Sequence, residues 1–469
     1  MKNLLYTITL ISGVLAFLSC KKQQETTDAG NQFSGREGEI ELVVLDPGHF
    51  HASLLQKFPQ QQVSDTVLVY APGGDELQQY LHSIEEYNQR AENPTHWHVD
   101  VYAGRDYLEK MIGEKKGNVV VLAGNNSKKT EYISKSIQAG YNVLSDKPMA
   151  IDKAGFELLE ATFDSTRTHD VLLYDVMTER YDILNTIVRV LVDSEELFGE
   201  VQAGTAEEPA IVMQSVHHYF KEVSGNVLVR PAWFYDVEQQ GEGIADVATH
   251  LVDLVHWQCF PDEVIDYRTE VQITSANHWP TRLTLADFTR STKLNAYPDY
   301  LRKYVKDNIL EVFGNGTIHY QVKGKNIAVT SIWNYEAPRG GGDAYSALIK
   351  GTHATVEIVQ DKQENYIKQL YIEKGKATDG KVFESALHTV VAGLRKMVPS
   401  VTSKRVAEGR YQIIVPVEDR KGHEDYFGMV AKKYFEFLIF RNMPEWEISN
   451  MIAKYYITTT ALEMAKKDY

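Results

Sequence analysis

The chain has 469 residues, of which 43 % are hydrophobic, 24 % charged and 11 % aromatic, and its formal net charge is −15. That composition supports two folded domains with cores of their own and excludes wholesale disorder. The acidic surplus excludes a protein built to neutralise nucleic-acid phosphates, and two cysteines, Cys20 and Cys259, exclude a disulfide framework.

The N-terminus reads as an address. Met1-Lys2-Asn3 is a short positive start, and Leu4 to Leu18 is apolar but too short for a comfortable membrane span. It runs into Ser19-Cys20 and then a polar stretch, which resembles a bacterial lipoprotein signal with Cys20 as the lipidated residue. A cleaved signal peptide with an incidental cysteine is the other reading. The first reading implies an exported, lipid-anchored protein on the periplasmic or cell-surface side. Residues 1–20 are thus taken as signal, 21–38 as a flexible tether, 39–175 as a first domain and 176–469 as a second. Cys259, in the apolar context Trp257-Gln258-Cys259-Phe260, is read as a core residue.

Order begins at Ile40. Leu42 to Leu45 reads as a buried strand, followed by Asp46-Pro47-Gly48-His49-Phe50-His51 turning into a helix through Gln56. Val67–Tyr70, His98–Tyr102, Val119–Leu122 and Tyr141–Leu144 are further strands, and helical patterns stand between them. Asp152 to Thr166 is a helix and Val171 to Tyr174 a strand. Alternating strand and helix predicts a Rossmann-like parallel sheet, whose ligand edge lies at the carboxyl ends of the strands. Asp146-Lys147-Pro148 follows directly on such a strand, which makes Lys147 a candidate for chemistry. After Ile183–Leu197, another helix, strand-like runs recur with few helices between them: Ala210–Val216, Val264–Ile273, Ile309–Phe313, Thr317–Val322 and Ala354–Val359. This predicts a second domain with an open, largely antiparallel sheet, closed by helices over 426–440 and 447–465.

A helix is expected over Ile244 to Trp257. At about 100° per residue, Asp246, His250 and Asp253 fall within a stripe of roughly 60° on an otherwise apolar surface. Polar groups on a buried helix are costly unless they face partners or a wet cavity. An aspartate four residues from a histidine can accept its N–H, fix its tautomer and raise its pKa, which prepares a general base. A structural Asp–His pair in a core is the alternative. Gly241 and Gly243, which permit close backbone approach, favour a site.

These stretches together resemble the Gfo/Idh/MocA oxidoreductase family. Asn126 matches the asparagine of its Thr-Pro-Asn-x-x-His loop, with Gly124, Asn125 and Lys129 replacing the other three residues. Ala139 to Pro148 resembles its Ala-Gly-Lys-x-Val-x-x-Glu-Lys-Pro signature, with Asp146 for glutamate. Phe198-Gly199-Glu200-Val201, Gly243-x-x-Asp246-x-x-x-His250-x-x-Asp253 and Lys350-Gly351-Thr352-His353 resemble later motifs in order. The resemblance implies NAD or NADP bound by Gly48, His49, Phe50, Asn126, Asp146, Lys147 and Pro148. It implies a sugar or polyol held against the second sheet, and a homo-oligomer formed through that sheet. Lys147 would touch the nicotinamide ribose and a substrate hydroxyl, His250 would take the proton, and Asp246 would hold the substrate or orient the histidine.

The first turn departs from the family. A dinucleotide fingerprint wants three glycines, and here Asp46, Gly48 and His51 stand at those positions. Asp46 is expected to repel a diphosphate unless a neighbouring histidine is protonated, and Tyr70-Ala71-Pro72 lacks the usual acid for the ribose. Three rivals follow: a catalytically silent carbohydrate-binding lipoprotein, NAD-dependent redox-assisted glycoside cleavage, and a metal-dependent hydrolase using His49 and His51. Neither His217-His218 nor Arg339-Gly340-Gly341-Gly342-Asp343 is singled out; a strand end and a plain hairpin are the simpler readings.

Overall fold

The structure, a computed structural model, describes residues 33–223, 226–339 and 341–467. The signal segment with Cys20 and most of the tether lie outside them. Six parallel strands, β1 (Leu42–Leu45), β2 (Thr66–Ala71), β3 (His98–Ala103), β4 (Val119–Leu122), β5 (Asn142–Asp146) and β6 (Leu173–Val176), form one sheet in the order β3-β2-β1-β4-β5-β6. This is the doubly wound order, with its switch point between β1 and β4. β1, β4, β5 and β6 are buried along their whole length, as expected of strands covered on both faces.

Five helices alternate with these strands: α1 (His51–Leu54), α2 (Asp75–Gln89), α3 (Tyr107–Glu114), α4 (Asn126–Gln138) and α5 (Lys153–His169). Caps fix two of their starts. Asn125 accepts the Ser127 N–H at the head of α4, and Asp152 accepts the Gly155 N–H at the head of α5. Gly140, at φ +78°, ends α4 in the left-handed conformation that glycine adopts at least cost. α1 has only four residues and stops short of Gln56, because residues 55–58 turn away.

After α6 (Ile183–Val192) the chain enters a ten-stranded sheet centred on β7 (Ile211–Phe220). β7 pairs parallel with Lys325–Glu336 and antiparallel with Ala344–Lys350, and the remaining pairings are antiparallel. Two expected strands, over 309–313 and 317–322, are one continuous strand, Ile309–Val322. The strand expected over 264–273 starts only at Val271, after a short helix at Tyr267–Glu270. Two of the sequence motifs meet here: Thr352 N–H donates to the Glu200 carbonyl at 2.9 Å, and a Cβ on Gly199 would collide with Thr352.

The last two helices, His423–Phe440 and Glu445–Lys467, return to the first sheet. Val430, Tyr434, Phe437, Leu438 and Met451 join the core of the parallel sheet. Each such side chain taken out of water contributes roughly 1.5–3 kcal/mol, so the tail is part of the first core. A buried charge network ties the parts together. Arg180 is paired with Asp253 at 2.6 Å and Glu447 at 2.8 Å, and Lys454 with Asp175 at 2.6 Å and Asp253 at 2.9 Å. Cys259 is buried in the core of the second sheet, and burial pushes its thiol pKa up. No helix among the described residues is long and apolar enough to cross a membrane.

Candidate active site

Lys147 leaves the carboxyl end of β5, joined to Pro148 by a cis peptide. Its Nζ donates to Asp246 Oδ1 at 2.6 Å, a buried ion pair reaching from the parallel sheet into the second half of the chain. The other oxygen, Asp246 Oδ2, accepts from Gln240 Nε2 at 3.0 Å. Gln240 ends the short helix α7 (Val237–Gln240), and its carbonyl accepts from Asn126 Nδ2 at 2.7 Å. Asn126 Oδ1 in turn accepts from Lys129 Nζ at 2.6 Å. Both polar atoms of Asn126 are therefore committed to protein, and the residue anchors the loop that holds Asp246. Lys129, only 2 % exposed, is lowered by burial to a pKa of about 8.

The helix carrying His250, α8 (Ala248–Cys259), starts four residues later than the apolar pattern suggests. Asp246 sits in the turn before it, so the stripe is split. Asp253 faces Arg180 and Lys454, whose charges overcome burial and hold its carboxyl below the usual range. The expected Asp246–His250 pairing does not form, because Lys147 and Gln240 occupy the Asp246 carboxylate. His250 Nδ1 is buried and has no hydrogen-bond partner among the described residues. Burial, and next the Lys147 charge, lower its pKa well below the ordinary imidazole value instead of raising it. The imidazole is neutral at physiological pH and can accept a proton. Gly241 and Gly243 do permit close approach: a Cβ on Gly243 would collide with the Gly314 carbonyl in the strand Ile309–Val322. That approach seats the turn on the sheet.

His250 opens on a cavity of about 190 Å³, lined also by Glu179, Ser215, His217, Asp343 and Lys368. Ser215 and His217 share one face of β7, two residues apart, and Asp343 stands opposite them just before Ala344–Lys350. His217 Nε2 lies 2.8 Å from Ser215 Oγ, His218 Nδ1 lies 3.0 Å from Asp343 Oδ1, and Lys221 Nζ donates to Asp343 Oδ2 at 2.8 Å. Burial would raise the Asp343 carboxyl, but the hydrogen bonds from His217 and His218 hold it well below the usual range. His217, Asp343, Gln240 and Lys129 were not legible as site residues in the sequence. The only trace was two residues passed over as a strand end and a hairpin, and one noted as a substitution for the family's histidine. A larger cavity, about 1060 Å³ and bordered by Arg180, Trp257 and Trp446, contains none of Lys147, Asp246 and His250.

At the turn after β1, Asp46 has φ +48°, the left-handed conformation that the first glycine of a fingerprint supplies. Its carboxylate does not stand unpaired against a bound anion. It accepts from Tyr132 Oη at 2.7 Å and lies 3.3 Å from Lys128 Nζ, so a lysine supplies the compensation expected of a histidine. Gly48, His49 and Phe50 border a cavity of about 260 Å³ together with Glu76. Glu76, in the first turn of α2, is a carboxylate just beyond the end of β2, and its Oε1 accepts from Trp233 Nε1 at 2.6 Å. A left-handed turn and a neutralised carboxylate at the end of β1, with an acid beyond β2, fit a dinucleotide. His51 Nδ1 is 2.9 Å from Asp146 Oδ2, bridging the turn to β5.

The family model described as "Oxidoreductase family, NAD-binding Rossmann fold" matches residues 43–172, and "Putative oxidoreductase C terminal domain" matches residues 187–466. The chain belongs to the Gfo/Idh/MocA oxidoreductase family. A crystal structure of a putative oxidoreductase from Parabacteroides merdae is similar to this oxidoreductase at 47 % identity, with a TM-score of 0.91 over 93 % of this chain and 100 % of that one. Levoglucosan dehydrogenase in complex with NADH and levoglucosan shares the fold at 12 % identity and TM-score 0.58, over 92 % and 98 % of the two chains. The WlbA dehydrogenase from Bordetella pertussis, in complex with NADH and UDP-GlcNAcA, does so at 13 % identity and TM-score 0.54, over 93 % and 98 %. Among curated proteins, none matches the sequence significantly.

Proposed function

We propose that this oxidoreductase is an NAD(P)-dependent dehydrogenase acting on a hydroxyl of a sugar, polyol or glycoside. The observation that carries the proposal is the Lys147–Asp246 pair, 2.6 Å long, with a neutral imidazole in its electrostatic reach. Gly48, His49 and Phe50 would border the diphosphate, Glu76 the adenosine ribose, and Asn126, Asp146, Lys147 and Pro148 the nicotinamide half. A bound nicotinamide would supply the hydride acceptor for the substrate carbon. Lys147 donates a hydrogen bond to the substrate hydroxyl and favours its ionisation. Asp246 orients Lys147, and His250 takes the hydroxyl proton. The cavity under His250 offers Ser215, His217 and Asp343 to further hydroxyls, and those groups suit a polyhydroxylated ring better than an apolar one.

The sequence reading of Cys20 supports an exported, lipid-anchored protein, where free cofactor is scarce. Three contacts across the ligand edge support retention of the cofactor: Trp233 to Glu76 at 2.6 Å, Asn125 to Gln239 at 2.8 Å and Asn126 to Gln240 at 2.7 Å. A retained cofactor used transiently would also serve redox-assisted glycoside cleavage, and these contacts favour that as the second reading. We take 39–175 as the cofactor domain, 176–469 as the substrate domain, and the open face of the second sheet as the surface of a homo-oligomer.

Mass spectrometry of the purified, denatured protein tests the proposal, followed by reduction of added NAD or NADP across a sugar panel. One NAD(P) per chain, or turnover with added cofactor, is expected. A protein that neither carries, binds nor reduces either dinucleotide is a silent binder, and the proposal fails.

A further inference from the structure

His49, His51 and Asp146 bring ligand atoms within 4.8 Å of one another at the point where β1 and β5 open toward the ligand edge. Asp146 Oδ2 is 2.9 Å from His51 Nδ1 and 3.8 Å from His49 Nδ1. A tetrahedral cation with ligand bonds of about 2.0 Å separates neighbouring ligand atoms by about 3.3 Å, and the two observed separations bracket that value. We propose that these three residues form a binding site for a divalent transition metal of the zinc type, with its fourth position open to an oxygen donor.

The chemistry of the three groups suits such an ion. Two imidazoles and a carboxylate are the borderline-soft donor set that selects zinc, cobalt or iron over magnesium. His51 is packed against Phe427 and His423, with ring centroids 4.5 and 5.3 Å away, so its ring plane is fixed by neighbours from the helix His423–Phe440. His49 Nδ1 now accepts the His51 N–H at 3.3 Å, and the metal would take over that lone pair. The nearby charges of Lys129 and Lys147 are answered by Asp146 and Asp246.

The site also accounts for the departure of this turn from the glycine fingerprint. α1 is four residues long and carries little dipole, so the usual helix-terminus contribution to anion binding is small. Of the three ligands, His49 borders the 260 Å³ cavity beside Gly48 and Phe50. The metal site does not depend on the cofactor reading, because its ligands come from the chain alone.

The test is metal analysis of the full mature chain, stripped by a chelator, dialysed and titrated with Zn²⁺, with Co²⁺ as a spectroscopic probe and Mg²⁺ as the hard-cation control. One Zn²⁺ per chain, a visible Co²⁺ d–d band with nitrogen-donor intensity, and no displacement by Mg²⁺ are expected. H49A/H51A should weaken Zn²⁺ binding by more than about 100-fold, while H388A, at an exposed position on the helix Gly380–Leu394, binds as the parent does. Should H49A/H51A fail to fold by circular dichroism, D146N replaces it with the same expectation. Failure of the parent to bind Zn²⁺ stoichiometrically, or equal binding by the ligand variants, overturns the site. NAD(P) content is measured on the same samples, so loss of metal and loss of cofactor are separately visible.

Discussion

Lys147 Nζ and Asp246 Oδ1 lie 2.6 Å apart, joining the end of β5 to the turn that precedes α8 across 99 residues of sequence. Their side chains are 14 % and 6 % exposed, so neither charge is well solvated without the other. Removing one partner of such a pair leaves a buried charge, at a cost of roughly 3–5 kcal/mol. K147M should therefore lower the thermal midpoint, and K147M/D246N should recover most of that loss. Neither variant should turn over, because the donor to the substrate hydroxyl is gone; kcat should fall about 100-fold or more. Calorimetry alongside turnover separates the two effects, and an active K147M would remove Lys147 from the mechanism.

His250 makes a prediction about pH. Burial and the Lys147 charge depress its imidazole pKa, so it stays in the proton-accepting form well below the ordinary value of about 6.5. The acid limb of kcat against pH should then show no break near 6.5, falling only at lower pH. H250N should lower kcat and abolish that limb. A half-maximal rate near pH 6.5 in the parent would mean that another imidazole is the base.

Lys128 is the compensation for Asp46. With Lys128 removed, the Asp46 carboxylate keeps its tyrosine hydrogen bond but loses its cation at 3.3 Å. K128A should weaken NAD(P) binding about tenfold, in line with about 1.4 kcal/mol of unrelieved like-charge contact. K128A/D46N should restore it. Titration calorimetry on cofactor-stripped protein reads both, and an unchanged affinity in K128A would show that the diphosphate does not approach Asp46.

Acid should destabilise the fold before any carboxylate titrates. His256 is fully buried with no hydrogen-bond partner on either ring nitrogen among the described residues, and burial lowers its pKa to about 3. Between the unfolded value of about 6.5 and that folded value, the unfolded chain takes up a proton that the folded chain refuses. Stability therefore falls as pH drops through 6.5. From pH 7 to 5.5 this one residue contributes a loss of about 1 kcal/mol. Urea unfolding at both values should show H256L losing less than the parent by that amount; an equal loss would place the sensitivity elsewhere.

The periodicities determined most of the architecture by themselves. Val119–Leu122 and Leu42–Leu45 are apolar without alternation, which only a strand covered on both faces tolerates, and the helical patterns between them force a parallel sheet. Lys147 was legible for the same reason: a strand end followed by proline fixes a residue at the ligand edge of such a sheet.

Pairing was not legible, because it depends on residues that fold together from distant segments. A helical projection put Asp246, His250 and Asp253 on one stripe. The tertiary structure divided them among Lys147, a cavity, and the Arg180–Lys454 network, since each carboxylate goes to the cation that burial brings nearest. Asp46 looked like an obstacle until α4 delivered Lys128 and Tyr132 to it. His217 and Asp343 looked like a strand end and a plain hairpin until strand register set them over the same cavity as His250. Sequence determines where backbone must go, through local periodicity and turn residues. Which charges meet is decided only when separate elements exclude water together, because desolvation is what makes one partner worth more than another.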